Sequence, residues 1–228
     1  MSTTLITSRD DKGRHAVGLF EVAYNKAGLD DDRAQRLNER GGELQDGITK
    51  LIAELTTCKW REQDGVIYFS VTSDGTTGPE WIERLESKGV KIESRVKSVL
   101  CSPDFKPTAG VTTEIAVLKG LLFADNARIT RNIRAQAYAG TFTSGRKLFD
   151  PNAEVACLIR EMFSDDEIEA MGLWWLVVMH EPIKDSDGDP NLLLVNRLDS
   201  GRWLYAYCGL LGDGWLRGSG FAFAVPQV

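Results

Sequence analysis

The chain has 228 residues with 43% apolar and 26% charged side chains, which suits an ordinary globular protein and argues against intrinsic disorder. A net charge of -6, spread without long blocks, argues against a nucleic-acid backbone as partner, and no segment approaches the ~20 apolar residues that a bilayer requires. The four cysteines at 58, 101, 157 and 208 form no CxxC pair and the chain holds two histidines, so zinc-finger spacing is absent and free thiols in a reducing compartment are expected. The stretch "MSTTLITSRDDKGRHAV" lacks the basic and apolar regions of a secretory signal, which predicts a cytoplasmic location.

Residues 14 to 57 read as helical. Ile48, Leu51, Ile52 and Leu55 fall at i, i+3, i+4 and i+7, and "LDDDR" places three acids where a helix dipole favours them. Gly41-Gly42 predicts two helices or one broken helix rather than a continuous rod. "WREQDGVIYFSVTSDG" is a hairpin turning at Asp64-Gly65. Thr77-Gly78-Pro79-Glu80 is a capping box launching a helix that carries Trp81, Ile82 and Leu85 and stops at Gly89. A short helix over 93 to 101 ends at Ser102-Pro103.

Val111 to Val117 is a strand that opens the second half of the chain. A basic-faced helix follows in "ADNARITRNIRAQAYAG", and another in "PNAEVACLIREMF" carries Val155, Leu158, Ile159, Met162 and Phe163 on one stripe. Ser164-Asp165-Asp166-Glu167 is a second capping box. "GLWWLVVMHEPI", bounded by Gly172 and Pro182, is a central buried strand. From 192 onward, "LLLVNR", "RWLYAYC" and "WLR" read as three short strands joined by tight turns. A last strand follows, whose alternation puts Phe221, Phe223 and Val225 on one side and Ala222 and Ala224 on the other.

Patterns that would carry catalysis are sparse. "DSDGDP" alternates Asp185, Asp187 and Asp189 as hard-cation loops do, but proline stands sixth and Asn196 twelfth, where an EF-hand needs glycine and glutamate. A solvated turn is therefore expected, with no metal and no cofactor. His180 and Glu181 are strand neighbours that point to opposite sides. A cysteine nucleophile would need Cys157 beside His180 in space, and no GxSxG, HExxH, Walker or Rossmann pattern is present. Leu198 in a turn, and Leu210-Leu211 between Gly209 and Gly212, are apolar where solvent is expected, which suggests a binding surface.

The order of a tryptophan-rich strand, a turn-rich stretch, "GRWLYAY", "GDGWLR" and "GFAFAV" resembles the C-terminal half of C-type-lectin-fold proteins. It is most similar to the variable proteins of diversity-generating retroelements, although the arginine that many relatives carry in the last strand is missing. The resemblance covers residues 111 to 228. It implies a C-type-lectin-like ligand-binding domain over 111 to 228, and with residues 1 to 110 read from their own pattern as a helical region bearing a hairpin, the chain is expected to be α+β. It further implies a non-enzymatic protein whose partner is a protein or other macromolecule; charge and hydropathy leave no nucleic acid and no membrane insertion expected. Trp203, Trp215, Phe221 and Phe223 would be scaffold. Leu194, Asn196, Leu198, Asp199, Tyr205, Tyr207, Leu210, Leu211, Asp213, Leu216 and Ser219 would be the display positions. Two other readings remain open: a small metal-dependent hydrolase or transferase using Asp185 to Asp189 with His180, and an attachment protein of a phage or mobile element.

Overall fold

A computed structural model describes residues 11–56, 58–198 and 200–226, the side chains of 12 and 53–56 excepted. Two compact units divide between Cys58 and Lys59. In the first, three helices succeed one another: α1 (Asp11–Lys26), α2 (Asp31–Glu39) and α3 (Gly41–Thr56). The expected break at Gly41-Gly42 is present, and Gly28, at φ 57°, adds a second. Asp30 caps α2 by accepting the Arg33 N–H at 2.8 Å.

The second unit is built on one mixed sheet, with strands β1 (Arg61–Gln63), β2 (Val66–Asp74), β3 (Lys91–Ile92), β4 (Ala109–Lys119), β5 (Trp175–Val178), β6 (Ile183–Lys184), β7 (Pro190–Leu198), β8 (Gly201–Cys208) and β9 (Ser219–Ala224). Their spatial order is β1-β2-β4-β9-β5-β7-β8-β3, with β6 paired to β7. Its helices are α4 (Gly78–Ser87), α5 (Ser94–Leu100), α6 (Thr130–Ala139), α7 (Val155–Met162) and α8 (Asp165–Ala170). The chain is thus mixed α/β, with eight α-helices and nine strands among the described residues. The 110/111 boundary expected from sequence falls inside β4, whose partner β2 comes from the earlier half. The sheet joins the two halves.

Local chemistry explains most elements. The β1–β2 turn holds Asp64 at φ 54° and Gly65 at φ 78°, the two left-handed residues that a tight hairpin needs. Both capping boxes form: Thr77 N–H donates to Glu80 at 2.8 Å ahead of α4, and Ser164 N–H to Glu167 at 2.8 Å ahead of α8. β5 is central, hydrogen-bonded to β9 on one side and β7 on the other. β9 lies between β4, antiparallel, and β5, parallel. Phe221 and Phe223 are fully buried, as the alternation predicts.

The sheet is covered on both sides. On one, Ile67, Val117, Val178, Val195, Leu204 and Ala222 meet α4, α5, α7 and α8 through Trp81, Leu85, Val99, Ile159 and Ile168. On the other, Leu118, Val177, Leu194, Phe221 and Phe223 meet Phe123, Leu148 and α6 through Ile133 and Ala137. Gly220 is a tight point within β9, where a Cβ would stand 2.7 Å from Val117 and 2.8 Å from Leu173.

One expected strand is absent: Trp215–Arg217 is not extended pairing backbone. β8 is antiparallel to β7, β7 antiparallel to β5, and β5 parallel to β9, so β8 and β9 run in the same direction. A tight turn cannot join parallel strands. Residues 209 to 218 instead carry the chain back along the sheet, pinned where Trp215 packs on Tyr207 at 5.3 Å and on Phe221 at 6.0 Å between ring centres.

Candidate functional site

On the face that α6 only partly covers, the register of β7 with β8 sets Leu192 opposite Tyr207, Leu194 opposite Tyr205 and Asn196 opposite Trp203. Trp175 of β5 lies opposite Asn196 on one side and Ser219 on the other. The side chains of this face therefore form an aromatic strip: Trp175, Trp203, Tyr205 and Tyr207, with Trp175 and Tyr207 at 6.2 Å and Trp215 of the crossover beside them. Four of the six tryptophans, counting Trp174, fall within this region. Cations edge the strip, Lys91 lying 5.5 Å from the Trp203 ring and Arg95 5.6 Å from that of Tyr205.

The proposed display positions separate into three groups. Tyr207, Leu198, Leu210, Leu211 and Leu216 are exposed, by 38%, 42%, 55%, 52% and 61%. Tyr205 and Asp213 are half-buried; Asp213 accepts the Leu210 N–H at 3.2 Å and its carbonyl accepts the Thr130 N–H, so it shapes the crossover. Leu194, Asn196 and Ser219 are buried and cannot take part in an exposed face. Their burial is tertiary in origin: Trp175 lies between Asn196 and Ser219, and Leu194 faces the second core. Asn196 Oδ1 and Ser219 Oγ are buried with no hydrogen-bond partner. Asp199 lies outside the described residues.

The exposed positions are not one contiguous patch. Leu198 stands at the β7–β8 turn, whereas Leu210 and Leu211 follow the far end of β8, roughly 20 Å away at ~3.3 Å per residue. At the Leu198 end, Trp174 is 62% exposed and stacks with Arg197 at 5.3 Å, and its N–H donates to Gly218. Sequence reasoning absorbed Trp174 into the buried strand; the doubled tryptophan held the only signal, since neighbours on a strand point opposite ways. Of the expected scaffold, Trp215, Phe221 and Phe223 are buried, but Trp203 is half-exposed on the strip itself.

The acid–base candidates are occupied structurally. His180 is buried with its Nδ1 2.6 Å from the Glu181 carbonyl and its Nε2 accepting the Leu193 N–H at 2.9 Å, an arrangement that needs the proton on Nδ1. Burial pushes its pKa down to about 4. Its carbonyl accepts from Arg134, which pairs with Asp150. Burial pushes the Cys157 thiol well above its ordinary value, the opposite of an activated nucleophile. In the acidic loop, Asp185 accepts the N–H groups of Asp187 and Asp189, both at 3.0 Å, and the Asn191 amide at 2.9 Å, which makes it the organiser of a turn. Among the described residues no group of three His, Cys, Asp or Glu is placed to hold a metal ion, and no helix is long and apolar enough to cross a membrane.

The arrangement presents aromatic and aliphatic side chains on one face of the sheet, while His180 and Cys157 are both buried in the core. No protein-family model, curated protein or solved structure matches the chain.

Proposed function

We propose that the protein is a non-enzymatic ligand binder that recognises a protein or other macromolecule through the β5–β7–β8 face and the 209–218 crossover, on a C-type-lectin-like scaffold. The observation that carries this reading is the exposure of Trp174, Tyr207, Leu210, Leu211 and Leu216 around the aromatic strip of a sheet whose two cores are otherwise closed. Large exposed apolar side chains, here standing toward both ends of β8, mark interaction sites, and tyrosine and tryptophan supply contact area at low entropic cost. The scaffold reading draws support from the terminal strand, held between two neighbours with both phenylalanines buried.

Separation of scaffold from display makes the reading testable at the locus. If the segment is diversified, a reverse transcriptase gene and a near-repeat of the codons for residues 192 to 220 stand nearby. Differences within that repeat fall on Tyr207, Leu210, Leu211 and Leu216 and spare Leu194, Asn196 and Ser219. A surface-display library randomised at the same four exposed positions is expected to keep its fold and to yield binders to unrelated proteins. Loss of folding in most members would overturn the reading, because it would make those side chains structural.

A further inference from the structure

A separate concavity of about 320 Å³ lies at the β1 edge of the sheet, between the β1–β2 turn and the loop that follows α6. Two arginines meet at it. Arg61 Nη2 donates to Glu114 Oε1 at 3.1 Å, and Arg146 Nη1 to the other oxygen, Oε2, at 3.4 Å. One carboxylate thus holds two guanidinium groups side by side. Each guanidinium has five N–H donors and gives only one to Glu114, so most of their donors remain directed elsewhere. Arg61 also stacks on the Tyr68 ring at 4.2 Å, which fixes its plane. Phe142, half-buried against Phe123 at 5.1 Å, forms an apolar wall.

A tight turn stands on each side of the concavity. Among the described residues, Asp64 at φ 54° and Ser144 at φ 53° are the non-glycine residues with positive φ, and both line this concavity. Asp64 is accounted for by its hairpin. Ser144 and Gly145, at φ 53° and 85°, form a turn of the same kind, closed by the Arg146 N–H on the Thr143 carbonyl at 3.1 Å, and Arg146 follows it directly.

We propose that this concavity binds a small organic anion, with a phosphate or carboxylate head between Arg61 and Arg146 and a flat apolar body against Phe142. Paired guanidinium forks fit such oxyanions in a bidentate way. Glu114 then acts as a placeholder: it keeps the two cations together and competes with the ligand for them. That role gives the site an opposite-signed signature.

Titration calorimetry of the full chain with phenyl phosphate and with benzoate tests it. At least one should bind with a Kd of about 1 mM or tighter, and the tighter of the two identifies the head group. Arg61→Gln and Arg146→Gln should each weaken binding about tenfold or more, whereas Glu114→Gln should strengthen it severalfold. Arg33→Gln, in the helical unit, should change nothing. Arg146 is 45% exposed, so its variant is expected to fold, and unchanged near-UV circular dichroism checks this. Absence of binding by either compound at about 10 mM, equal affinity in Arg146→Gln, or weaker binding in Glu114→Gln would each overturn the proposal.

Discussion

The helical unit and the sheet unit use apolar residues in opposite ways. In the sheet unit Ile67, Ile115, Leu176, Val195 and Phe221 are all fully buried. In the helical unit no described residue from 11 to 52 is buried, and Val17, Leu19, Val22 and Tyr24 are each at least half exposed. Yet α1 and α3 are each 16 residues long and carry clear apolar spacing. Helices of that length are marginal in water unless an apolar face is covered. Periodicity therefore states that a face exists; only long-range contacts state whether it is covered.

The sharpest way to test the contrast is a large-to-small change in each unit. Phe223→Ala should cost roughly 3 to 5 kcal/mol in chemical unfolding, since it empties a fully buried site in the strand tied to β4 and β5. Val22→Ala should cost far less. If its cost rivals that of Phe223→Ala and the melt depends on protein concentration, α1 is covered by another chain in solution and the contrast disappears.

A pH effect comes next in size and belongs to the sheet unit. His180 is held neutral with a folded pKa of about 4, against an ordinary value of ~6.5 in the unfolded chain. Between those values the unfolded state binds a proton that the native state does not. Stability should thus be full above pH ~6.5 and decline as pH falls toward 4, by up to roughly 3 kcal/mol. Urea midpoints at pH 7 and pH 4.5 measure this, and His180→Gln should flatten the part of the slope due to this residue.

Smaller effects refine the picture within the sheet unit. Ser164→Ala removes the side chain that accepts the Glu167 N–H and should cost about 1 kcal/mol. Smallest of all, Leu210→Ser, Leu211→Ser and Leu216→Ser should each shift stability by no more than about 0.5 kcal/mol while weakening any ligand of the face. A loss of several kcal/mol at these leucines would make them core and remove the display surface.

Much of the chain was legible because its signals are local. Asp64-Gly65 dictates a turn through backbone sterics, the two capping boxes satisfy N–H groups within four residues, and the alternation of 221 to 225 specifies a strand with two different sides. The third expected strand failed for a topological reason. "WLR" looks extended, but a connection between the parallel strands β8 and β9 has to cross over, and residues 215 to 217 serve that crossing.

The candidate site was legible in its residue types and not in its membership. Alternation along β8 separates Trp203, Tyr205 and Tyr207 from Leu204 and Ala206, but it is silent on which set faces the helices. Sequence by itself determined the elements, their caps and the two-sidedness of the strands, because those depend on dihedral preferences and contacts a few residues apart. Tertiary structure alone decided that α5 and α7 cover Leu204, that Asn196 and Ser219 are buried on either side of Trp175, and that Trp174 is left exposed. Burial depends on which distant segments pack on each face, and a one-dimensional pattern carries no record of that.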